Sequence, residues 1–232
     1  MPRQARLVVP GVPHHVTQRG NRRQTTFFQD GDYVLYLQLA KDAFASAGLT
    51  CWSYCLMPNH VHFIVVPQTE GALRAAFAPL HATYTRHINR RERWSGYLWQ
   101  GRFASFAMDD THAVQAIRYV GLNPVRAGLA KAAREWPWSN VAALLDGRDD
   151  VLAPSEPVTS ALGPQLGGFF DCDIVEEGRR KLRRAAITGL PLGTAAWVKA
   201  LETATGRAIV DRQPGRPSRA ASQGHTLFPA GK

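Results

Sequence analysis

The stretch TCWSYCLMPNHVHFIVVP, residues 50–67, is the most informative part of the sequence about the fold. Both of its halves are rich in aromatic and β-favouring residues, and the Pro-Asn pair between them is typical of a tight turn. The stretch therefore predicts a β-hairpin. Because side chains alternate across a strand, His60, His62 and Ile64 should share one face of its second strand.

One strand and one helix are predicted before this hairpin. The segment Pro13–Arg19 has the pattern of a strand, and a Gly-Asn turn follows it. The next segment has helical apolar spacing, with Asp30 or Asp32 as the expected N-cap and Gly48 as the C-terminal stop.

A helix, a strand and a second helix are predicted after the hairpin. The first of these helices, EGALRAAFAPLHATYTRHINRRERW, should be bent or started late by Pro79. The strand is GRFASFAMD, and the pair Asn123-Pro124 should end the last helix. The order β-α-β-β-α-β followed by a helix predicts an α+β fold, the ferredoxin-like split βαβ arrangement with an antiparallel sheet.

The character of the chain changes beyond this region. We expect one domain over residues 5–145 and a basic, helical extension over residues 146–212 that contains DIVEEGRRKLRRAA and GTAAWVKALETATG. Residues 213–232 have little to bury and predict a disordered basic tail. In the extension, GRRKLRR could either clamp duplex DNA or remain solvated.

The bulk composition favours a nucleic-acid partner. The 232 residues carry 28 Lys and Arg against 18 Asp and Glu, a net charge of +10, and such an excess attracts polyanions. No apolar run approaches the roughly 18 residues of a membrane-spanning helix, and no signal peptide is evident, so we expect a cytoplasmic, nucleoid-associated protein. Three cysteines are too few for a disulfide framework, and Cys51 and Cys55 are expected to be buried free thiols.

The histidine pair predicts metal binding, although two histidines alone make an incomplete site. Imidazoles two residues apart on a strand are placed to share one ion. The alternative is that His60 and His62 are merely hydrogen-bonded or partly exposed at the end of a strand, because His-x-His arises often by chance. A further ligand has to come from elsewhere in the chain.

The late helix DTHAVQAIRYVGLNPVRAG offers that ligand. Helical spacing places Tyr119 and Asn123 one turn apart on a polar face, opposite the apolar stripe that contains Ile117 and Val120. The alternative for Tyr119 is packing against the core or against the C-terminal extension. If this helix lies over the histidine face, two imidazoles, an amide oxygen and a phenol converge.

Such a set of groups has a chemical logic. Two nitrogen ligands and one oxygen ligand leave open positions on Mg²⁺ or Mn²⁺ for a phosphate oxygen and water. The metal would polarise a phosphodiester, and Tyr119 would attack it. A phosphotyrosine link keeps the energy of the broken bond, which favours cutting and rejoining of strands over degradation.

At these residues the chain resembles a known family. The segment His60–His62 resembles the His-hydrophobic-His motif of HUH single-strand endonucleases, and Arg118–Gly128 resembles the tyrosine helix of REP-associated tyrosine transposases. The resemblance covers about residues 5–145 and extends to three further stretches, HHVTQRGNRR (His14–Arg23), LWQGRF (Leu98–Phe103) and WPWSN (Trp136–Asn140).

The resemblance implies a function. His60, His62 and Asn123 would be metal ligands, and Tyr119 would be the nucleophile of a metal-dependent single-strand DNA endonuclease and transposase. Such a protein cuts single-stranded DNA near palindromic, hairpin-forming repeats and leaves a 5′-phosphotyrosine. One departure is Gly121, where relatives often carry Glu or His, and a glycine there would loosen the helix by up to about 1 kcal/mol.

Basic residues outside these motifs are candidates for DNA contacts. Phosphates would be bound by a short loop and by the edge of a helix, and unpaired bases would stack on Trp or Tyr rings. The alternative for each group is that its basic side chains are merely solvated and bind no DNA. The candidates are Arg19, Asn21, Arg22, Arg23, Arg86, Arg90, Arg93 and Arg102.

Two other functions stay open. A non-catalytic DNA-hairpin-binding protein could regulate or protect repeats on the same scaffold. A replication initiator or relaxase would share the histidine pair, but the chain has no P-loop, which makes that class distant. Whether the protein works as a monomer or a homodimer is also open.

Overall fold

The computed structural model describes residues 6–209. The strands are β1 His14–Arg19, β2 Leu49–Met57, β3 His60–Pro67 and β4 Ala104–Ala107. The α-helices are α1 Asp30–Ala47, α2 Ala72–Glu92, α3 Asp110–Gly121, α4 Asn123–Arg126, α5 Val141–Leu145, α6 Glu156–Leu162, α7 Glu176–Thr188 and α8 Ala195–Thr205. Short 3₁₀ turns occupy Asn21–Arg23, Ala133–Glu135 and Gly163–Gly168.

The four strands described within residues 6–209 form one antiparallel sheet in the order β2-β3-β1-β4. Each βαβ unit is split by a strand from the other unit, so the ferredoxin-like arrangement predicted from the sequence is confirmed. The register pairs Thr17 of β1 with His62 and Arg19 with His60. Directly opposed residues of an antiparallel pair share a face, so Arg19 lies beside the histidine pair.

The two faces of the sheet carry separate apolar cores. Val61, Phe63 and Val65 pack under α1 and α2. Ile64 lies on the opposite face, where α3 and the C-terminal extension pack. The alternation predicted for β3 is therefore confirmed, and it puts the histidine pair on the same side of the sheet as α3.

Two local predictions were wrong. Gln29, and neither Asp30 nor Asp32, is the N-cap of α1. Asp32 is instead a buried residue of the first turn that accepts hydrogen bonds from the backbone N–H groups of residues 28 and 29 and pairs with Arg91 of α2. Of the two effects expected of Pro79, the late start is wrong: helix α2 begins at Ala72 and continues through the proline, because one lost backbone bond is outweighed by the burial of its apolar face.

The helix that carries Tyr119 ends next to the pair Asn123-Pro124, as predicted. It does not continue to Asn123, because Leu122 (φ −87°, ψ 0°) separates α3 from the four-residue α4. Pro124 lies at the start of α4, where its missing N–H has no intrahelical partner to lose. Asn123 nevertheless follows Tyr119 by about one turn.

The extension packs against the second face of the sheet. Phe169, Phe170 and Leu182 are buried in the same apolar cluster as Ile117 and Val120 of α3. The free, buried Cys51 and Cys55 agree with the sequence prediction. No helix within residues 6–209 is long and apolar enough to cross a bilayer. The predicted tail, residues 213–232, lies outside the described residues.

Candidate active site

Three histidines from two strands lie side by side on the α3 face of the sheet. The ring centroids of His60 and His62 are 5.0 Å apart. His15 of β1 stacks on His62 at 5.1 Å, and His15 Nε2 lies 2.9 Å from His62 Nδ1. The sequence prediction of the pair on one face is confirmed, and His15 is a third imidazole that it did not include.

Hydrogen bonding fixes the tautomer of His60. Its Nδ1 lies 2.6 Å from Asn59 Oδ1, and since an amide oxygen only accepts, Nδ1 must donate. The amide of Asn59 is itself held by donation from Nδ2 to the carbonyl of Arg23 at 3.0 Å. The Nε2 lone pair of His60 is therefore available to a ligand.

All three imidazoles are neutral at pH 7. Burial lowers the pKa of His15 to about 3, and burial together with the nearby Arg19 lowers the pKa of His60 to about 3. Burial is also the main cause that holds the pKa of His62 well below its usual value, and the neighbouring imidazoles and arginines add to it. Neutral imidazole is the form that ligates metals.

Tyr119 lies directly over this histidine row. Its ring centroid is 6.0 Å from that of His62 and 6.3 Å from that of His15, with the rings close to perpendicular. The side chain is half-buried and packs against the second core. The geometric expectation that α3 brings its phenol to the histidine face is confirmed.

Two cations flank Tyr119. The guanidinium of Arg126 lies over its ring, with Cζ 4.4 Å from the centroid. Arg19 approaches from β1. Burial and Arg23 lower the pKa of Arg19, while Tyr119 raises it, as expected for a phenol close by. Negative charge that develops on the phenol oxygen would be stabilised by both.

Arg126 also connects Tyr119 to Asn123. One of its nitrogens donates to the backbone carbonyl of Tyr119 and, at 2.9 Å, to Asn123 Oδ1. The Nδ2 of Asn123 is buried and has no hydrogen-bond partner among the described residues. Such an unsatisfied amide costs free energy and indicates that the Asn123 side chain is set up for a further contact.

The C-terminal extension holds Arg126 in place. Asp173 accepts from Arg126 Nη1 at 3.0 Å and from Arg179 Nη1 at 2.8 Å. Burial raises the pKa of Asp173, but the two arginines and the backbone N–H of Ile174 outweigh it and leave the pKa below its usual value. Asp173 is thus a carboxylate at neutral pH.

A cavity of about 450 Å³ joins these groups. It is open to solvent and lined by the three predicted residues His60, Tyr119 and Asn123 together with residues of α7. The full lining is Met57, His60, Tyr119, Asn123, Arg126, Ala127, Glu176, Arg179 and Arg183. His62 lies beneath it, 7% exposed.

The predicted DNA-binding residues do not form a single surface. Arg19 belongs to the tyrosine site, as its pairing with His60 requires. Arg22 and Arg23 are exposed in the turn after β1, both with positive φ, and Asn21 precedes them. The others, Arg86, Arg90, Arg93 and Arg102, lie on or near α2 and the segment before β4.

Several residues of this site were missed by sequence reasoning. His15 shares a period-two face with Arg19, but only the strand order places β1 beside β3. Arg126 is one turn beyond Asn123, a spacing that could have drawn attention to it. Asp173 and Arg179 carried no local signal, because Asp173 contacts Arg126 from a distant part of the chain and Arg179 joins the site only through Asp173.

The fold and the cavity together define a class: a split βαβ domain in which a tyrosine helix covers a histidine-bearing strand. Residues 9–122 match the family model for IS200-like transposases. Over these residues the resemblance to IS200-like transposases inferred from the sequence is confirmed.

Two relatives agree with this assignment. A Haemophilus influenzae protein named "Putative REP-associated tyrosine transposase" is 26% identical over 97 residues, which cover 37% of this chain and 55% of that protein. The chain thus spans about half the length of this curated relative. A solved REP-associated tyrosine transposase, bound to a REP hairpin, aligns with a TM-score of 0.52 at 17% identity over 66% of this chain and 90% of that one, which shows a shared fold.

Proposed function

We propose that this protein is a metal-dependent single-strand DNA endonuclease and strand transferase that cuts near hairpin-forming repeats through Tyr119. The observation that carries the proposal is the single cavity lined by His60, Tyr119 and Asn123, with arginines at its rim. A phenol above neutral imidazoles in a basic cleft suits attack on a phosphodiester. The solved relative bound to a REP hairpin supports DNA hairpins as the partner class. We propose that the protein acts on chromosomal DNA in the cytoplasm.

The residues present fit a divalent metal. Within residues 6–209 no three His, Cys, Asp or Glu side chains converge as a metal site, so the amide of Asn123 is needed beside the two histidines. The free Nε2 of His60 suits this, and Asn123 would bind through Oδ1, which accepts one hydrogen bond from Arg126 and keeps a second lone pair. When bound by His60, His62 and Asn123, Mg²⁺ or Mn²⁺ would polarise the scissile phosphate.

The other residues prepare the attack. Tyr119 Oη would release its proton to water and attack phosphorus, which forms a P–O bond to the phosphate at the 5′ end of the downstream fragment. The bond from phosphorus to the 3′ oxygen breaks, and that oxygen takes up a proton. Arg126 and Arg19 would stabilise the phenolate as it forms. Arg179 and Arg183 line the cavity and would hold flanking phosphates. His15 would orient His62 through their shared hydrogen bond.

The experiment is an adduct assay. Hairpin oligonucleotides with single-stranded flanks are incubated with the protein and Mn²⁺ and scored for a protein–DNA band on a denaturing gel. Wild type should give the band, and Tyr119→Phe should bind the hairpin equally but give none. Tyr33→Phe is the matched control, because this phenol lies in α1 on the opposite face of the sheet.

A non-catalytic hairpin-binding protein is the second candidate. If this alternative holds, Tyr119→Phe and Tyr33→Phe should both bind the hairpin, and no protein should form an adduct with any divalent metal. Equal adduct formation by Tyr119→Phe and Tyr33→Phe would reject Tyr119 as the nucleophile.

A further inference from the structure

A groove lies on the face of the sheet opposite Tyr119. It runs between α2 and the segment 96–103 and encloses about 730 Å³. The floor is aromatic, formed by the buried rings of Phe77, His81 and Trp99. Burial lowers the pKa of His81 to about 3, so this floor is uncharged at neutral pH. We call this feature the α2 groove.

Three arginines at the rim of the α2 groove have no acidic partner among the described residues. Arg74 and Arg86 project from α2, and Arg102 projects from the facing segment. No Asp or Glu is among the described lining residues, and neither Arg74 nor Arg102 forms an ion pair within residues 6–209. The guanidinium of Arg86 donates to the hydroxyl of Thr83 at 2.9 Å. Cations with no counter-charge suit a polyanion.

The spacing along α2 suits an extended strand. Arg74, Ala78, Ala82 and Arg86 follow one another at intervals of four, so they lie along one side of the helix. At 1.5 Å per residue the two arginines are about 18 Å apart, a span of several phosphates. The two alanines between them leave room, and Tyr97 on the facing wall is 85% exposed, an aromatic surface on which a base can stack.

The α2 groove and the tyrosine site meet at one end of β1. Gln18 lines the groove, while its neighbour Arg19 belongs to the tyrosine site on the other face. Gln18 Nε2 donates to the carbonyl of Gly101 at 2.9 Å, and the backbone N–H of Gln100 donates to the carbonyl of Arg19 at 2.8 Å. The segment 98–101 is thus the short edge that a strand would cross between the two sites.

We propose that the α2 groove binds a stretch of the single-stranded DNA that flanks the cleavage site. Its phosphates would lie on Arg74, Arg86 and Arg102, and one base would stack on Tyr97. This inference rests on the proposed function, since the strand is the one that Tyr119 cuts. An acidic peptide would match the arginines but would gain less from an aromatic wall and floor, so DNA fits better.

The first test measures affinity for fluorescein-labelled dT12 by anisotropy, in the Tyr119→Phe background at about 0.15 M salt. Ala82→Glu puts a negative charge inside the groove and should weaken binding about ten-fold, because like charges repel. Ala75→Glu is the matched control: Ala75 is exposed on the same helix but does not line the groove. It should change the affinity by less than about two-fold.

The second test locates the DNA. A dT12 that carries 4-thiothymidine should cross-link under ultraviolet light to the tryptic peptide Trp94–Arg102, which contains Tyr97. Equal affinities of Ala82→Glu and Ala75→Glu, or cross-links only elsewhere, would overturn the proposal. Displacement of dT12 by an equally charged poly-glutamate peptide would overturn it in favour of an acidic protein partner.

The outcome for the groove is separable from that for cleavage. Adduct formation is scored with Tyr119 intact. An adduct together with equal Ala82→Glu and Ala75→Glu affinities rejects the groove alone. If Ala82→Glu alone weakens the affinity for dT12 and no adduct forms with Tyr119 intact, the proposed cleavage is rejected and the groove remains a DNA site.

Discussion

At the scale of single residues, Asn59 prepares the proposed metal site without belonging to it. Its Oδ1 accepts from His60 Nδ1 and thereby leaves the Nε2 of His60 unprotonated. Loss of such a supporting partner typically weakens metal affinity about 10- to 100-fold. Asn59→Ala should therefore bind Mn²⁺ at least about ten-fold more weakly than wild type by calorimetry. Unchanged Mn²⁺ affinity in Asn59→Ala would contradict this role.

Gly121 is explained by packing. A Cβ at this position would lie 2.8 Å from Val141 Cγ2 and still closer to the ring of Phe170. The sequence interpretation, a glycine that merely loosens the helix, missed this contact because Phe170 belongs to the distant extension. The glycine lets the extension approach α3 closely.

Gly121→Ala should therefore destabilise the fold. Overpacking costs about 1–3 kcal/mol, which exceeds the gain in helix propensity of up to about 1 kcal/mol. The free energy of unfolding in urea should fall accordingly. Gly167→Ala is the control, since no atom lies within 4 Å of its added Cβ. Equal stabilities of the two variants would contradict the packing explanation.

At the scale of elements, the sequence predicted the kinds and order of strands and helices better than their ends. The hairpin around Pro58-Asn59 follows from local turn chemistry and alternation, which need no tertiary information. The N-cap of α1 was wrong because Asp32 is engaged by Arg91 from a different helix. The end of α3 next to Asn123-Pro124 was predicted from the proline, but the short helix α4 that begins there was not.

Buried imidazoles in these elements predict acid sensitivity. Burial lowers the pKa of His14 to about 4 and of His81 to about 3, against 6.5 for both in the unfolded chain. Below pH 6.5 the unfolded chain binds protons that the folded chain does not, so stability is complete above pH 6.5 and falls as the pH drops toward 4 and then 3.

The measurement is the free energy of unfolding in urea between pH 7.5 and 4. Wild type should lose stability steadily below about pH 6.5, and His81→Gln should lose less over the same range. His87→Gln, on the exposed side of the same helix, should keep the wild-type dependence. A pH dependence identical in all three proteins would contradict the assignment to His81.

At the scale of the whole molecule, the extension is part of the folded unit. The domain boundary near residue 145 remains a proposal for where the family resemblance ends. In the structure, Phe170 and Leu182 share a core with Ile117, and Asp173 holds Arg126 at the cavity. The sequence could indicate a basic helical extension, but not that it completes the site, because that contact depends on the fold.

A chain ended at Leu145 should therefore lose cooperative unfolding and expose apolar surface to a hydrophobic dye. Its α3 would keep the sheet contacts but lose the cover of the extension. A chain ended at Ile209 is the control, since it keeps Phe170 and Leu182 of the extension in the shared core. A cooperative transition at the wild-type midpoint in the shorter chain would contradict the shared core.

The proposed function requires that Tyr119 attack DNA from above the histidine row. Trypsin cuts after Arg118 and Arg126, so the peptide Tyr119–Arg126 contains one tyrosine and no other hydroxyl or thiol nucleophile. After reaction of wild type with a hairpin oligonucleotide and Mn²⁺, and digestion with trypsin and nuclease, mass spectrometry should find this peptide with a 5′-linked nucleotide. A nucleotide on any other peptide, or cleaved DNA with none attached to protein, would contradict the claim.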